Sequence, residues 1–199
     1  MTGAAAGSGE DEMKKIQRLA GGLLVLVLAA WPAQARAEDT ALRAGLSYGT
    51  KSSTSFDLYL QHSFEPWLDR AGYRLAPYAN LGFTLWTGDK KDHPGARNDQ
   101  IWGLVAALGL RWELMTLETV RPYLAANVGP SYISKDEFLG NEMGGGHYLF
   151  NLRASLGLRL GQDFRHNLGL DASHYSNAFT QSSNKGYNAL GLSYGYSFW

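Results

Sequence analysis

Eight times after residue 40 the chain alternates apolar and polar residues with a period of two, over 41–49, 55–65, 75–86, 101–113, 120–129, 148–161, 167–176 and 187–199. Successive side chains of a β-strand stand on opposite faces, so this is the pattern of strands with one apolar and one polar side. The sixth segment is the clearest. Tyr148, Phe150, Leu152, Ala154, Leu156, Leu158 and Leu160 share one face, and Asn151, Arg153, Ser155 and Arg159 share the other. A soluble sandwich and a membrane barrel both alternate, with opposite sense, and periodicity alone does not separate them. Trp102 and Trp112 do. They lie on one face of the fourth segment, ten residues apart. Ten residues at about 3.3 Å each, tilted about 40°, cover roughly 25 Å, the height of a lipid-facing band between two aromatic girdles.

The N-terminal sequence agrees with export. Met13-Lys14-Lys15 opens a basic stretch, 19–31 is an apolar run too short to span a bilayer comfortably, and Ala35-Arg36-Ala37 has the small-x-small form of a cleavage site. Residues 1–37 are read as a leader and a secretory signal beginning at Met13, with Pro32 and the cleavage site counting against a membrane anchor. Residues 38–199 then form one domain. The exported chain has no cysteine, hence no disulfide framework, and 18 basic residues balance 18 acidic ones without a basic stripe. Nucleic acid is therefore not an expected partner. Glycine is abundant (24 residues), aromatics make up 13%, and no apolar run after the signal reaches helix-spanning length. The expected fold is all-β: an eight-stranded antiparallel transmembrane β-barrel of the Gram-negative outer membrane.

An even strand number puts both termini in the periplasm, so odd strands run outward and even strands return. The long polar connections 87–100 and 134–147 then fall outside, and the short turns 114–119 and 162–166 inside. The connection 65–74 is longer than a periplasmic turn should be. Inward-facing Asp57, Arg121, Arg153 and Arg159 are expected to form a salt-bridged plug, because eight strands leave room for side chains but not for a pore.

The run His174-Tyr175-Ser176-Asn177-Ala178 stands at the outward end of the seventh segment. Leu168, Leu170, Ala172, His174 and Ser176 share one face, and the apolar series marks that face as lipid-facing. Residues two apart on a strand face are close enough for an imidazole to reach a hydroxyl, the minimal arrangement for activating a serine nucleophile. Polar groups on a lipid-facing surface invite a functional explanation, although just above the hydrocarbon, among headgroups, they are ordinary. Pairing the seventh and eighth segments across 179–186 brings Asn188 beside His174, as a third group able to hold the ring. The other histidines, His62, His93, His147 and His166, are read as lying in or beside turns with no ligand-like spacing, and no metal or cofactor is implied.

The run from His174 to Ala178, followed by Asn184-x-Gly186 and a strand ending in aromatics, resembles the lipid A 3-O-deacylases of Gram-negative outer membranes. The likeness is specific over the last 30 residues or so and general elsewhere. It implies an eight-stranded barrel whose outward-facing His–Ser–Glu site hydrolyses the ester at position 3 of lipid A. Ser176 would be the nucleophile, His174 the general base, and Asn177 with Ala178 the source of oxyanion-stabilising donors. The chain departs from the family in having Asn188 where the acid would fall and Phe179 where a small residue would follow the alanine. Asp171 does not replace the acid, since its parity turns it inward. The implied partners are lipopolysaccharide of the outer leaflet, the barrel-assembly machinery and a second copy of the chain. The competing readings are a non-enzymatic outer-membrane barrel with a structural or adhesion role, and a soluble periplasmic barrel carrying a lipid-like ligand.

Overall fold

The computed structural model describes residues 37–199 apart from 116, 144, 145, 179–184 and 199. Of the leader and signal read from 1–37, all but Ala37 lie outside the described residues. Eight long strands follow in chain order: β1 (Ala37–Gly49), β2 (Ser53–Phe64), β3 (Tyr73–Thr87), β4 (Gln100–Leu114), β5 (Val120–Ile133), β6 (Tyr148–Leu160), β7 (His166–Ser176) and β8 (Tyr187–Ser197). Each pairs antiparallel with the next, and β8 returns to β1, with Ala41 opposite Ser197 and Gly49 opposite Ala189. Closure leaves no open edge, the condition for placing strands in hydrocarbon.

The faces sort as alternation predicts, in the membrane sense. Outward-facing Leu192 is 70% exposed, Leu46 68% and Leu156 61%, whereas inward-facing Arg153, Arg159 and Asp57 are buried. Exposed Tyr48, Trp102 and Tyr148 mark one rim of the apolar band, and Trp67, Tyr73, Trp112 and Tyr194 mark the other. These are the two aromatic girdles of an outer-membrane barrel.

Inside, charge is neutralised in two layers. Near one end Arg159 reaches Asp39 at 2.6 Å and Glu113 at 3.0 Å, and Arg111 shares both carboxylates. Further along, Arg153 pairs with Asp57 at 3.1 Å and Asp171 at 3.5 Å, and donates to the Tyr59 hydroxyl at 2.6 Å. Buried charge is tolerated only when paired in this way. Arg121 joins differently, its guanidinium stacking 3.5 Å from the Phe164 ring centroid.

Toward the rim with the longer connections, the interior turns apolar. Trp86, Tyr175, Tyr187, Ile101, Ile133 and Leu149 are buried there with Phe138, Leu139 and Met143 of the connection after β5. That connection forms a two-residue ladder, Glu137–Phe138 against Asn141–Glu142. Buried Glu137 accepts the backbone N–H groups of Arg97, Asn98 and Gly140. Phe138, Leu139 and Met143 of this loop thus extend the buried apolar cluster at that end.

Two expectations need correction. Half of the long connection 65–74 is strand: Leu68–Arg70 pairs back on β3, and Gly72, at φ +102°, makes the reversal. The overlength turn is a hairpin extension of the barrel wall. His62 lies within β2, where its Nδ1 shares a 2.9 Å hydrogen bond with Thr40 Oγ1, rather than in or beside a turn.

Candidate active site

His174 and Ser176 stand at the end of β7 on its outward face, both half-buried. Their placement is fixed from inside. Tyr175, between them in sequence, points into the barrel and is buried edge-on against Trp86, with ring centroids 4.9 Å apart. Opposite Tyr175 on β8, Tyr187 packs edge-on against the same indole at 5.5 Å. Burying a large side chain of this kind is worth about 1.5–3 kcal/mol. The two tyrosines therefore pin the β7 and β8 backbones at the points where His174, Ser176 and Asn188 emerge on the other face.

In the β7–β8 ladder His174 pairs directly with Asn188. Their side chains meet at 2.7 Å between His174 Nδ1 and Asn188 Oδ1. An amide oxygen can only accept, so in this contact Nδ1 carries a ring proton, and in the neutral ring the lone pair is then on Nε2. That is the tautomer a general base needs. Ser176 is one position-pair along the same face, opposite Phe150 of β6, while Leu152 lies opposite His174. The polar pair thus emerges from an apolar surface.

Asn177 is fully buried, turning away from this surface. Ala178 follows at φ +48°, a left-handed conformation uncommon for a non-glycine residue, and swings the chain out of the strand. Phe179 and Asn184 lie outside the described residues. Asp171 is buried against Arg153, far along the inner face.

Residues 42–197 match the family model described as Lipid A 3-O-deacylase (PagL). The chain belongs to the lipid A 3-O-deacylase family. Over 125 residues it is 31% identical to the lipid A deacylase PagL of Bordetella bronchiseptica, covering 63% of this chain and 64% of that protein, slightly under two thirds of the relative's length. The crystal structure of the outer membrane enzyme PagL superposes with a TM-score of 0.70 at 22% identity, over 78% of this chain and 98% of the other. That likeness shows the barrel fold. As a lipid A 3-O-deacylase family member, the chain is a protein of the Gram-negative outer membrane.

Asn188 reaches the His174 imidazole through its oxygen. Among the described residues no group of three or more His, Cys, Asp or Glu is placed to hold a metal ion. The remaining histidines are engaged elsewhere: His93 Nε2 donates to the Lys51 carbonyl, His147 Nδ1 to the Ile133 carbonyl, and His166 Nδ1 pairs with the Tyr194 hydroxyl.

Two contacts at the site were not readable from the sequence pattern. Gly186, at φ +61°, lies over the ring edge of His174, where a Cβ would sit 2.9 Å from the Tyr175 carbonyl oxygen and 3.1 Å from His174 Cε1. Its own carbonyl accepts from buried Asn141 Nδ2 at 2.8 Å. Thr50, just beyond β1, bonds the backbone of Asn188. The glycine was visible in the family motif, but its contact with the ring depends on strand register. The threonine gave no signal at all.

Proposed function

We propose that this chain hydrolyses the 3-O-linked acyl ester of lipid A in the outer leaflet, with Ser176 as nucleophile, His174 as general base and Asn188 as the group that orients the base. Ser176 Oγ attacks the ester carbonyl as His174 Nε2 takes its proton. The tetrahedral oxyanion is met by main-chain N–H groups of Asn177 and Ala178, the Asn177 side chain being turned inward. Collapse breaks the bond to the sugar oxygen, which leaves with the proton now held on His174. Water, deprotonated by the same ring, then releases the fatty acid from Ser176. Family membership supports the reaction class. The observation that carries the assignment of residues is the 2.7 Å contact between His174 Nδ1 and Asn188 Oδ1, made on the lipid-facing surface beside Ser176. An ester of a membrane lipid comes to such a site laterally, without leaving the bilayer.

On this reading the chain is exported by its signal, inserted by the barrel-assembly machinery and able to associate with a second copy through its apolar wall. Mass spectrometry of lipid A from cells with and without the expressed protein tests the activity. Loss of one ester-linked acyl chain at position 3 is expected. Unchanged lipid A with a folded barrel in the membrane would leave a non-enzymatic outer-membrane protein.

A further inference from the structure

We infer that Thr50, on the connection between β1 and β2, is a positioning residue that sets Asn188, and through it the tautomer of His174; the inference rests on the deacylase reading above. The β1–β8 ladder ends at the pair Gly49–Ala189, so the next residue of β8, Asn188, has no strand residue of β1 opposite it in the ladder. Instead the Thr50 hydroxyl serves both of its peptide groups. Oγ1 accepts from the Asn188 N–H at 2.9 Å and donates to the Asn188 carbonyl at 3.2 Å. One hydroxyl thus stands in for a missing peptide unit and continues the ladder by one residue. The residue so continued is the one whose side chain holds His174.

The turn that delivers Thr50 is built for this. Lys51 and Ser52 both have positive φ, +63° and +53°, a sparsely populated region for non-glycine residues that persists only where the surroundings over-determine it. Those surroundings are present. Ser53, fully buried, donates to the Thr50 carbonyl at 2.6 Å and accepts from the Tyr187 hydroxyl at 3.0 Å, and His93 donates to the Lys51 carbonyl at 2.9 Å. Gly49 makes room for that tyrosine, since a Cβ there would lie 2.1 Å from the Tyr187 hydroxyl. A hydroxyl used twice on the backbone of the histidine's partner, delivered by a turn in two unfavourable conformations, goes beyond what closing the barrel requires.

The test uses the full-length barrel purified in detergent micelles, with Thr50→Val, Thr50→Ser, Asn188→Ala and the double variant Thr50→Val/Asn188→Ala. Heat-modifiable gel mobility checks folding, lipid A hydrolysis gives kcat and KM, and the His174 ring-nitrogen chemical shifts report the tautomer. Thr50→Val should lower kcat about tenfold with KM unchanged, because the reacting groups are misplaced while the substrate surface is intact. Thr50→Ser should restore kcat to within about twofold of wild type. In the Asn188→Ala background, Thr50→Val should cost less than about twofold more, since residues acting through one another are not additive. The ring shifts should leave the Nδ1–H tautomer in Thr50→Val and keep it in Thr50→Ser. Wild-type kcat in a folded Thr50→Val barrel, loss in Thr50→Ser equal to that in Thr50→Val, or a full tenfold loss in the Asn188→Ala background would each overturn the inference. If Thr50→Val does not fold, Thr50→Ser and the ring shifts of Asn188→Ala decide it, and a serine variant with a scrambled tautomer overturns it. A wild-type barrel without activity on lipid A sinks the deacylase reading instead, and the ring shifts still read the role of Thr50.

Discussion

Replacing Asn188 by alanine and by glutamate separates two contributions that a single residue makes to the proposed mechanism. The hydrogen bond from His174 Nδ1 to Asn188 Oδ1 is 2.7 Å long and lies on the outer surface of the barrel. Between neutral partners such a bond is worth about 1 kcal/mol net, and with a charged donor about 1.5–3 kcal/mol. As general base His174 becomes an imidazolium when Ser176 gives up its proton, so the bond strengthens by about 0.5–2 kcal/mol on the way to the transition state. Removing it with Asn188→Ala should lower kcat by about 2- to 30-fold, at 1.36 kcal/mol per tenfold. Asn188→Glu keeps an acceptor and adds a charge. At about 4–5 Å, and with an effective dielectric constant between 20 and 80, the attraction to the imidazolium is about 1–4 kcal/mol. Exposure and the longer side chain take most of that back, so turnover should be retained or rise up to about tenfold. The assay is lipid A hydrolysis by both purified variants in micelles, with heat-modifiable mobility confirming the folded barrel. Two silent variants would refute the reasoning, and so would an alanine variant that outpaces the glutamate one.

Other parts of the account make separate demands. Glu113, buried with Arg111 and Arg159 both upon it, is the centre of the interior ion cluster. Glu113→Ala should cost about 3–5 kcal/mol in reversible unfolding by urea, because two cations lose a buried partner, while activity per folded barrel holds. Leu156 is lipid-facing near mid-strand. Leu156→Arg should destabilise the barrel in bilayers by about 2–4 kcal/mol, as expected near the membrane midplane, and a neutral effect in that unfolding assay would contradict the assigned band. Chelator should leave hydrolysis of a soluble, phosphate-free ester unchanged; activity lost and then restored by one specific divalent ion would count against the serine mechanism.

The strands and their faces were legible because alternation of this length has one structural meaning, and because a one-residue slip would turn the lipid-facing leucines of β6, Leu152, Leu156 and Leu158, inward with its arginines exposed. The pairing of His174 with Asn188 followed from the same logic, and the observed ladder has that register. Three things were not legible, each for a reason of its own. The Leu68–Arg70 extension is three residues long, too short to show a period. The apolar upper interior depends on Phe138, Leu139 and Met143, which alternate with nothing because they belong to a folded loop. Thr50 reaches Asn188 across 138 residues of sequence, by a side-chain-to-backbone bond that exists only because β8 closes on β1. Periodicity reports which way a side chain faces, and carries no trace of bonds between loop and strand backbone.

Ser176→Ala is the most direct test of the central claim that a serine on the outward face of β7 cleaves the ester. Wild-type and variant barrels, each confirmed folded by heat-modifiable mobility, are compared by mass spectrometry of lipid A after expression in the same host. The account predicts that the wild type removes the acyl chain from position 3 and that the variant leaves lipid A intact, with no acyl group trapped on the protein. Deacylation by folded Ser176→Ala at the wild-type level would contradict it.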